Sequence, residues 1–259
     1  MPSIGIDIGS TAAKAAVLED GRLAETLVCP TGFSSVDAAE RLAQQLLARG
    51  FDPRGLPCVA TGYGRVAVPY ADRVVTEITC HARGAAYLNP ATRVVVDIGG
   101  QDSKVILLDN GLNVVDFLMN DKCAAGTGRF IEVMMRILEE DLASIDEFVV
   151  GKHPVNISSM CTVFAESEIV SLLATGADRG DVALGVIQSI CRRTAVFAQK
   201  LSLQEEVFFS GGLANFESFR STLQSFLGLK VNTHPLSQYA GAIGASVVAY
   251  NKAKRLQRV

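Results

Sequence analysis

Short apolar runs that end at glycine alternate with longer segments of helical periodicity along the chain. The runs 4–8 and 94–98 are rich in isoleucine and valine, and each is followed by a glycine turn, which predicts two buried strands. A second apolar run follows each turn, at 15–18 and 105–108, and ends in a polar segment with a glycine. This order of strand, turn and strand predicts a β-hairpin at both places.

Segments with apolar residues three and four positions apart predict the helices. The predicted helices are 36–48, 127–142, 162–175, 181–201 and a C-terminal helix that opens with 240–249. Ser34 or Ser35 is expected to cap the first helix and Gly50 to stop it, and Gly176 is expected to end the third. Further strands are predicted at 58–61 and 207–209. Because strands and helices alternate, the predicted fold class is α/β, and a border between two domains is expected near Asn89 and Pro90.

The two predicted hairpins are copies of one another. The stretch 6–21 reads IDIGSTAAKAAVLEDG, the stretch 96–111 reads VDIGGQDSKVILLDNG, and they align without a gap. The shared positions are Asp7 with Asp97, Ile8 with Ile98, Gly9 with Gly99, Lys14 with Lys104, Leu18 with Leu108 and Gly21 with Gly111. Glycine lets backbone N–H groups approach an anion, and an aspartate at a strand end can hold Mg²⁺ through water or orient an attacking water. A single such hairpin is most simply a tight turn with a solvated aspartate, whereas two that face each other would clamp a polyphosphate.

Composition narrows the possible functions. Lysine plus arginine number 24 and aspartate plus glutamate 27, a net charge of −3 that is too balanced for a nucleic-acid or anionic-membrane surface. Hydrophobic residues make up 49% and no apolar run has membrane-spanning length, so a globular protein is expected in the cytoplasm, without nucleic-acid or membrane partners. No Walker A motif occurs and no GxGxxG follows a strand, so nucleotide binding must come from the paired hairpins.

The hairpins and one further motif resemble those of the superfamily of sugar kinases, heat-shock chaperones and actin. The stretches 4–21 and 94–111 look like its two phosphate motifs, and FFSGGL at 208–213 looks like its adenosine motif. The resemblance implies two ribonuclease-H-like lobes of the actin-like ATPase type, with a nucleotide cleft between them. The expected lobes are an N-terminal one at 1–90, completed by a C-terminal helix at 240–259, and a second one at 91–239.

Three stretches narrow the resemblance to one family: DIGGQDSK at 97–104, NDKCAAGTGRF at 120–130 and SMCTVFAESE at 159–168. They are similar to the ATP-dependent activators, or archerases, of 2-hydroxyacyl-CoA dehydratases, in a family that also contains ATPase subunits of benzoyl-CoA reductase. The resemblance implies an ATPase coupled to electron transfer and a homodimer with one [4Fe–4S] cluster at the subunit interface. It also implies an electron donor such as ferredoxin or flavodoxin, and a separate iron–sulfur dehydratase, reductase or double-cubane protein as electron acceptor. The segments 61–65 and 76–81 look like family motifs as well, but no chemistry follows from their residues.

The six cysteines lie far apart and form no CxxC pair, so a single chain has no metal motif. Four of them are interpreted as small buried hydrophobic residues, namely Cys29, Cys58, Cys80 and Cys191. Cys123 and Cys161 each precede a predicted helix, whose N-terminal N–H groups favour a thiolate. The resemblance makes these two the cluster ligands, and because a cubane cluster needs four cysteines, two chains would supply two each.

The resemblance also assigns roles around the nucleotide. Asp7 is expected to hold Mg²⁺ through water, and Asp97, with Gln101 beside it, to orient or deprotonate the attacking water. The residues expected to contact ATP or ADP are Gly9, Ser10, Thr11, Lys14, Gly99, Gly100, Lys104, Glu166, Gly211, Gly212 and Gln238. For Lys14 and Lys104 a solvated strand residue is the alternative interpretation.

Two other functions stay open. A small-molecule kinase of the same superfamily would share the phosphate hairpins, although a chain of 259 residues leaves little room for an acceptor pocket. A non-redox regulator would use ATP only to switch the binding of a partner. The visible absorption spectrum of anaerobically purified protein, with iron and sulfide assays, separates both functions from that of an electron-transfer activator.

Overall fold

The computed structural model describes residues 1–159, 161–201, 203 and 205–256. Met160 of the second cysteine stretch and the last three residues of the predicted segment 240–259 lie outside the described residues. The chain divides into two compact units: the first comprises Met1–Val95, Ile106–Val115 and Leu236–Val259, and the second comprises Val96–Val105 and Asp116–Pro235. The lobe limits expected from the sequence stay predictions.

Within the described residues the strands form two five-stranded sheets. The first sheet contains β1 (Pro2–Ile8), β2 (Ala12–Glu19), β3 (Arg22–Pro30), β4 (Cys58–Thr61) and β5 (Arg73–Val74). The second sheet contains β6 (Val94–Ile98), β7 (Ser103–Leu108), β8 (Val114–Asn120), β9 (Val207–Gly211) and β10 (Val231–Asn232). Both predicted hairpins are confirmed, as the neighbouring strands β1 and β2 and the neighbouring strands β6 and β7.

The helices account for most of the remaining chain. The α-helices are α1 (Ser35–Ala48), α2 (Glu77–Leu88), α3 (Gly128–Ile137), α4 (Ile145–Phe148), α5 (Thr162–Ala174), α6 (Arg179–Ala198), α7 (Glu217–Leu227) and α8 (Ala240–Leu256). Single 3₁₀ turns lie at Arg65–Ala67, Leu142–Ser144, Gln199–Leu201 and Ser237–Tyr239. In the part of the chain that the structure describes, no helix combines the length and the apolar character needed to cross a bilayer.

The two sheets have the same strand order. The orders are β3-β2-β1-β4-β5 in the first sheet and β8-β7-β6-β9-β10 in the second. In the first sheet β1, β2 and β3 pair antiparallel, while β4 and β5 continue the sheet in parallel on the other side of β1. This is the strand order of a ribonuclease-H-like unit. The duplication in the sequence is therefore a duplication of the fold, and the predicted α/β class is confirmed.

Helices cover both faces of the first sheet. Alternation along β4 turns Cys58 and Ala60 toward α1, where they join a core that includes Leu42 and Leu46 of that helix. Val59 between them points to the opposite face and packs against α2 and α8. The first unit is therefore a three-layer structure with its sheet in the middle.

Glycines allow α2 and α8 to approach each other closely. A Cβ at Gly84 of α2 would overlap the carbonyl oxygen of Ala240, and a Cβ at Gly244 of α8 would overlap that of Cys80. Without side chains at these positions the two backbones come into direct contact. The helix α8 also lies directly against β1, where a Cβ at Gly5 would overlap the carbonyl oxygen of Ala242.

Predicted boundaries of α3 and α6 are wrong, and α6 also ends at Ala198 rather than at residue 201. α3 ends at Ile137 rather than at residue 142, because Glu139 adopts φ 53°, a left-handed conformation that stops the helix. α6 begins at Arg179 rather than at residue 181, because the side chain of Asp178 caps it by accepting the N–H of Gly180 at 2.9 Å. These differences are local. Seven strands and α-helices of the described residues have no counterpart among the predicted elements, namely β3, β5, β8, β10, α2, α4 and α7.

Candidate functional site

The first hairpin brings an acidic and a basic residue together at the end of β1. Asp7 is the penultimate residue of that strand and is 4% exposed. The antiparallel register places Lys14 of β2 opposite it, so both side chains project from the same face of the sheet. Lys14 is half-buried, and its contact with phosphate stays a prediction.

The turn of the first hairpin is closed by backbone hydrogen bonds. Gly9 donates its N–H to the carbonyl of Ala12 at 3.1 Å, and the hydroxyl of Thr31 donates to the carbonyl of Gly9 at 2.7 Å. Ser10 is half-buried and Thr11 is exposed. The turn is thus held by Thr31, the residue that follows β3.

Glycines surround the Asp7 carboxylate at positions where other residues would carry a Cβ. Gly62 lies directly after β4 at φ 89°, and a Cβ at this residue would overlap Oδ1 of Asp7. Gly241 lies at the start of α8, and a Cβ there would overlap Oδ2 of Asp7. The adjacent hydroxyl of Thr61 is fully buried, lies beside the Cys80 thiol and forms no hydrogen bond of normal geometry within the described residues. A buried carboxylate in such a cradle fits a hydrated Mg²⁺, which prefers oxygen ligands and retains several waters.

The second hairpin encloses a buried lysine between two carboxylates. Lys104 is 2% exposed, and its Nζ lies 2.6 Å from Oδ2 of Asp102 and 3.4 Å from Oδ2 of Asp97. Asp97, the penultimate residue of β6, also accepts a hydrogen bond from the hydroxyl of Ser210 on β9 at 2.7 Å. The interpretation of Lys104 as a solvated strand residue is therefore wrong. The Asp97 carboxylate is held in place and keeps further lone pairs that can accept a hydrogen bond from water.

Sequence reasoning missed Asp102 and Ser210 as residues of this site. Asp102 precedes Lys104 by two residues, and side-chain alternation near a strand was the signal that could have paired them. Ser210 belongs to the FFSGGL motif, but its contact with Asp97 depends on β9 lying beside β6, which a local pattern does not reveal. A Cβ at Gly99 would overlap Oδ1 of Asp102, which explains the glycine at that position.

The turn after β6 is hydrogen-bonded to the start of α3. The N–H groups of Gly128 and Arg129, the first two residues of α3, donate to the carbonyls of Gly99 and Gly100 at 2.8 and 2.7 Å. The segment that carries Cys123 leads directly into this helix. The predicted phosphate turn and one cysteine segment are therefore mechanically connected.

The other residues predicted to bind nucleotide lie on several elements. Gly211 ends β9 at φ 98°, where a Cβ would overlap the backbone of the neighbouring β6, and the following Gly212 is exposed. Gln101 is exposed in the second turn, and Glu166 is exposed on α5. Gln238 is half-buried in the 3₁₀ turn before α8 and belongs to the first unit, whereas Glu166 belongs to the second. Their contacts with nucleotide stay predictions.

Burial separates the six cysteines into two groups. Cys123 and Cys161 are exposed, and the buried ones are Cys29, Cys58, Cys80 and Cys191. Burial raises the pKa of the Cys58 and Cys80 thiols to about 12, and it raises the pKa of Cys191 as well. All four side chains lie in the interior, so the prediction that these cysteines are small buried hydrophobic residues is confirmed.

Cys161 is held at the start of α5. It is the N-cap residue, and its carbonyl accepts the N–H of Ala165 at 2.9 Å. Glu168 of the same helix accepts the N–H groups of Ser158 and Ser159 at 2.9 and 2.8 Å. Burial raises the pKa of Glu168, but its hydrogen bonds with the two serines outweigh burial and lower the pKa to about 2. Glu168 was missed at the sequence level, although it closes the second cysteine stretch.

Cys123 lies between β8 and α3. Asn120, the last residue of β8, accepts the N–H of Cys123 at 3.3 Å and donates its Nδ2 to the Cys123 carbonyl at 3.1 Å. The N-cap of α3 is Thr127, so Cys123 precedes the helix terminus, whereas Cys161 occupies one. The effect of a helix terminus falls off within its first turn, so Cys123 lies outside the range of the N-terminus of α3.

Arg193 of α6 contacts both cysteine segments. It donates a hydrogen bond to the carbonyl of Ser159 at 2.5 Å, and its guanidinium lies 5.9 Å from the ring centroid of Phe130 on α3. Burial lowers the pKa of Arg193, and the charge of Cys123 opposes this shift. A Cβ at Gly126, between Cys123 and α3, would stand 3.7 Å from Cβ of Arg193, so this arginine lies against the Cys123 segment. Arg193 was not predicted, because no motif marks it.

Within the described residues no three His, Cys, Asp or Glu side chains come together as a metal site. One chain offers an exposed pair of cysteines, whereas a [4Fe–4S] cluster takes four thiolates. The pair therefore fits half of a cluster site, and a second chain would have to complete it.

The fold and these residues define a class of protein. Each of two ribonuclease-H-like sheets begins with a glycine hairpin that carries an aspartate at the strand end, which is the arrangement of actin-like ATPases. Residues 4–249 match the BadF/BadG/BcrA/BcrD ATPase family, and the chain belongs to this family.

Known relatives confirm the resemblance inferred from the sequence. The chain is 48% identical over 246 residues to YjiL of Escherichia coli (strain K12), covering 95% of this chain and 96% of that protein. It is 41% identical over 258 residues to the (R)-2-hydroxyglutaryl-CoA dehydratase activating ATPase of Acidaminococcus fermentans, covering 98% of each. The solved activator of the 2-hydroxyisocaproyl-CoA dehydratase from Clostridium difficile, with bound ADPNP, has a TM-score of 0.94 at 36% identity and covers 100% of this chain and 97% of its own.

Proposed function

We propose that this protein is an ATP-hydrolysing activator that passes a low-potential electron, through a [4Fe–4S] cluster shared by two identical chains, to a separate iron–sulfur dehydratase or reductase. The relatives named as dehydratase activators support a 2-hydroxyacyl-CoA dehydratase as the partner, and a double-cubane protein is the alternative acceptor. Ferredoxin or flavodoxin would supply the electron. The proposal rests on one observation: the two exposed cysteines lie in segments that Arg193 connects, and one of these segments is hydrogen-bonded to the phosphate turn.

The first hairpin would bind the metal and part of the phosphate chain. Asp7 would accept hydrogen bonds from the water shell of Mg²⁺ in its glycine cradle, with Lys14 and the backbone of Ser10 and Thr11 at the phosphate oxygens. Mg²⁺, when bound, neutralises phosphate charge. The ADPNP bound to the Clostridium difficile activator supports ATP as the nucleotide.

The second hairpin would carry the hydrolytic chemistry. Asp97 would orient the attacking water through a carboxylate oxygen, while Ser210 and Lys104 keep the carboxylate from turning away. Gln101 would assist at the tip of the turn, and the backbone of Gly99 and Gly100 would lie against the terminal phosphate. Hydrolysis thereby depends on a turn that is also bonded to α3.

The cysteine segments would hold the redox group. Cys123 and Cys161 of both chains would ligate the cluster, which supplies one-electron chemistry when bound. The hydrogen bonds from Gly128 and Arg129 to the phosphate turn give nucleotide binding a route to the Cys123 segment. Coupling then requires that nucleotide and partner favour the same arrangement of these segments.

The decisive experiment is anaerobic purification followed by a visible spectrum, iron and sulfide assays and a mass measurement in solution. We expect a brown dimer with about four irons per dimer, and we expect Cys123→Ala and Cys161→Ala each to abolish the colour. The matched control is the Cys58→Ala variant. It should retain full iron content, because the Cys58 thiol is buried and is not a proposed ligand.

Other outcomes point to the remaining functions. Full iron content in Cys123→Ala or Cys161→Ala would overturn the ligand assignment. Colourless protein that transfers phosphate to an added acceptor would indicate a small-molecule kinase. Colourless protein with slow hydrolysis and no acceptor would indicate a regulator that uses ATP only as a switch.

A further inference from the structure

Two segments that received no chemistry from the sequence, 61–65 and 76–81, converge on Asp7. The first segment begins at the end of β4, where the parallel register pairs its first residue with Asp7. The second segment leads into α2, which carries Cys80 and His81 into the interior. The His81 side chain on this turn of α2 lies near the Asp7 carboxylate, because both border the space beside Gly241.

Gly241 marks the point where α2, α8 and β1 meet. A Cβ at this residue would overlap Oδ2 of Asp7 and would stand 3.0 Å from Nε2 of His81. The carboxylate oxygen and the imidazole nitrogen therefore border the same small volume, which is open only because residue 241 has no side chain. His81 is 8% exposed and Asp7 is 4% exposed, so bulk water competes little for either atom.

We propose that His81 is a positioning residue for Asp7, with Nε2–H directed at Oδ2 so that the carboxylate keeps the orientation in which it binds the water shell of Mg²⁺. The inference rests on the proposed function, in which Asp7 holds that ion. The glycine contacts between α2 and α8 bring the imidazole to the carboxylate, so the helix pair acts as a rigid support for the metal site.

The chemistry of a carboxylate explains why such a partner matters. A carboxylate has four lone-pair sites, so one hydrogen bond from His81 leaves the others for the water ligands of Mg²⁺. Polar groups just outside a metal's own ligands orient those ligands, and their loss commonly weakens metal binding by about 10- to 100-fold. A residue that only fills space would instead affect folding and leave the metal dependence unchanged.

The test is calorimetric titration of ADPNP into the full-length protein, with Mg²⁺ and separately with EDTA. For His81→Leu, which removes the donor, we expect the Mg²⁺-dependent gain in affinity to fall by on the order of tenfold, with EDTA affinity unchanged within about twofold. His81→Gln should retain most of the gain, because its amide nitrogen reaches the place of Nε2. His81→Asn should lose it, because its amide nitrogen reaches only the place of Nδ1.

Tyr87→Phe is the matched control on the same helix. The Tyr87 hydroxyl accepts the N–H of Leu23 at 2.9 Å and donates to the carbonyl of Gly21 at 3.3 Å, so its removal weakens α2 at a place away from Asp7. We expect a lower melting temperature and an unchanged Mg²⁺ effect. The double variant of Asp7→Asn and His81→Leu should lose no more of the Mg²⁺ effect than Asp7→Asn alone, since His81 acts through Asp7.

Three outcomes would overturn the inference. An unchanged Mg²⁺ effect in His81→Leu denies the positioning role, and equal losses with and without Mg²⁺ indicate packing only. If His81→Leu does not fold, His81→Asn and His81→Gln decide the question, and equal Mg²⁺ effects in these two variants deny the role. If wild-type protein binds ADPNP equally well with and without Mg²⁺, Asp7 has no metal role and the proposed function fails. This failure is recognised from the wild type alone, before any His81 variant is measured.

Discussion

Asp97 is the residue on which the proposed hydrolysis depends most directly. Its Oδ1 accepts a hydrogen bond from Ser210 at 2.7 Å and its Oδ2 faces Lys104 at 3.4 Å, so both oxygens are oriented by neighbours within the second unit. Replacement by asparagine keeps the shape and the bond from Ser210 but removes the charge that polarises a water. Lys104 would still be paired with Asp102 at 2.6 Å, so the fold should tolerate the change.

We expect Asp97→Asn to lower the rate of ATP hydrolysis roughly 100-fold, because loss of a group that accepts a proton or orients a water removes about that much catalysis. Nucleotide affinity should change by less than about threefold. Steady-state phosphate release and a nucleotide titration measure the two effects. Asp109→Asn, the same change in the exposed turn after β7, is the control, and hydrolysis by Asp97→Asn at the control's rate would contradict the role.

Glu168 gives a prediction for pH. Its pKa in the folded protein is lowered to about 2 from an ordinary value of 4.5, because Ser158 and Ser159 donate to the ionised form. Its stabilising effect is therefore complete above about pH 4.5 and is lost as the pH falls toward 2. Denaturant unfolding should show a stability gap between the wild type and Glu168→Gln at pH 6 that narrows toward pH 3.

Glu166→Gln is the control for this experiment, because it makes the same change two residues away on an exposed position of the same helix. The control should show no gap that narrows with falling pH. A gap between the wild type and Glu168→Gln that stays constant from pH 6 to pH 3 would mean that the hydrogen bonds of Glu168 do not stabilise the folded protein.

At the scale of elements, α6 holds the two cysteine segments together. Arg193 of α6 contacts Ser159, just before α5, and Phe130 on α3. A single side chain of α6 therefore links α3 to the segment before α5. Arginine suits this task because its planar fork can donate in several directions and lie over an aromatic ring at the same time. A lysine at position 193 would keep the positive charge but would lack the planar group that donates to Ser159 and lies over Phe130.

We expect anaerobic Arg193→Met to release iron to a chelator on the order of tenfold faster than the wild type, as for other residues that orient metal ligands. Arg193→Lys should fall between the two. Arg192→Met is the matched control, since Arg192 is exposed one residue earlier and lies over Phe226 of α7 instead. Equal rates of iron release in Arg193→Met and Arg192→Met would contradict a link between the cysteine segments.

The elements also show how far local patterns could be read. The helix α1 with its Ser34 cap, and the strand β4, appear where periodicity and capping residues predicted them. The strands that follow the two hairpins, β3 and β8, and the helix α2 were not predicted. β3 and β8 alternate less regularly, with many exposed positions, and α2 is rich in small residues, so its buried face carries few large apolar side chains to reveal a period.

At the scale of the whole molecule, the proposed cluster belongs to two chains. In that proposal Cys123 and Cys161 would supply half of the necessary ligands, so iron would act as a cross-link between subunits as well as a redox group. Anything that binds only the assembled state stabilises it by mass action. Iron and dimerisation should therefore be lost together, while nucleotide binding, which the hairpins provide, should not depend on iron.

Removal of iron with a chelator under anaerobic conditions should convert the dimer to a monomer that still binds ADPNP. Light scattering after size exclusion gives the mass, and calorimetry gives the nucleotide affinity. Apoprotein of the Cys123→Ala variant is the control and should be monomeric from the start. A dimer that persists without iron at the same protein concentration would show that another surface holds the chains together.

Patterns along the chain were enough to predict the duplicated glycine hairpins, the α/β class and the burial of Cys29, Cys58, Cys80 and Cys191. These features depend on hydrophobic periodicity, glycine turns and neighbouring residues, all of which are local along the chain. Folding of the whole chain is needed to bring Ser210 to Asp97, Arg193 to the cysteine segments and His81 to the side of Asp7. Such contacts join residues far apart in the chain, and strand order and close helix packing, rather than any local pattern, bring them together.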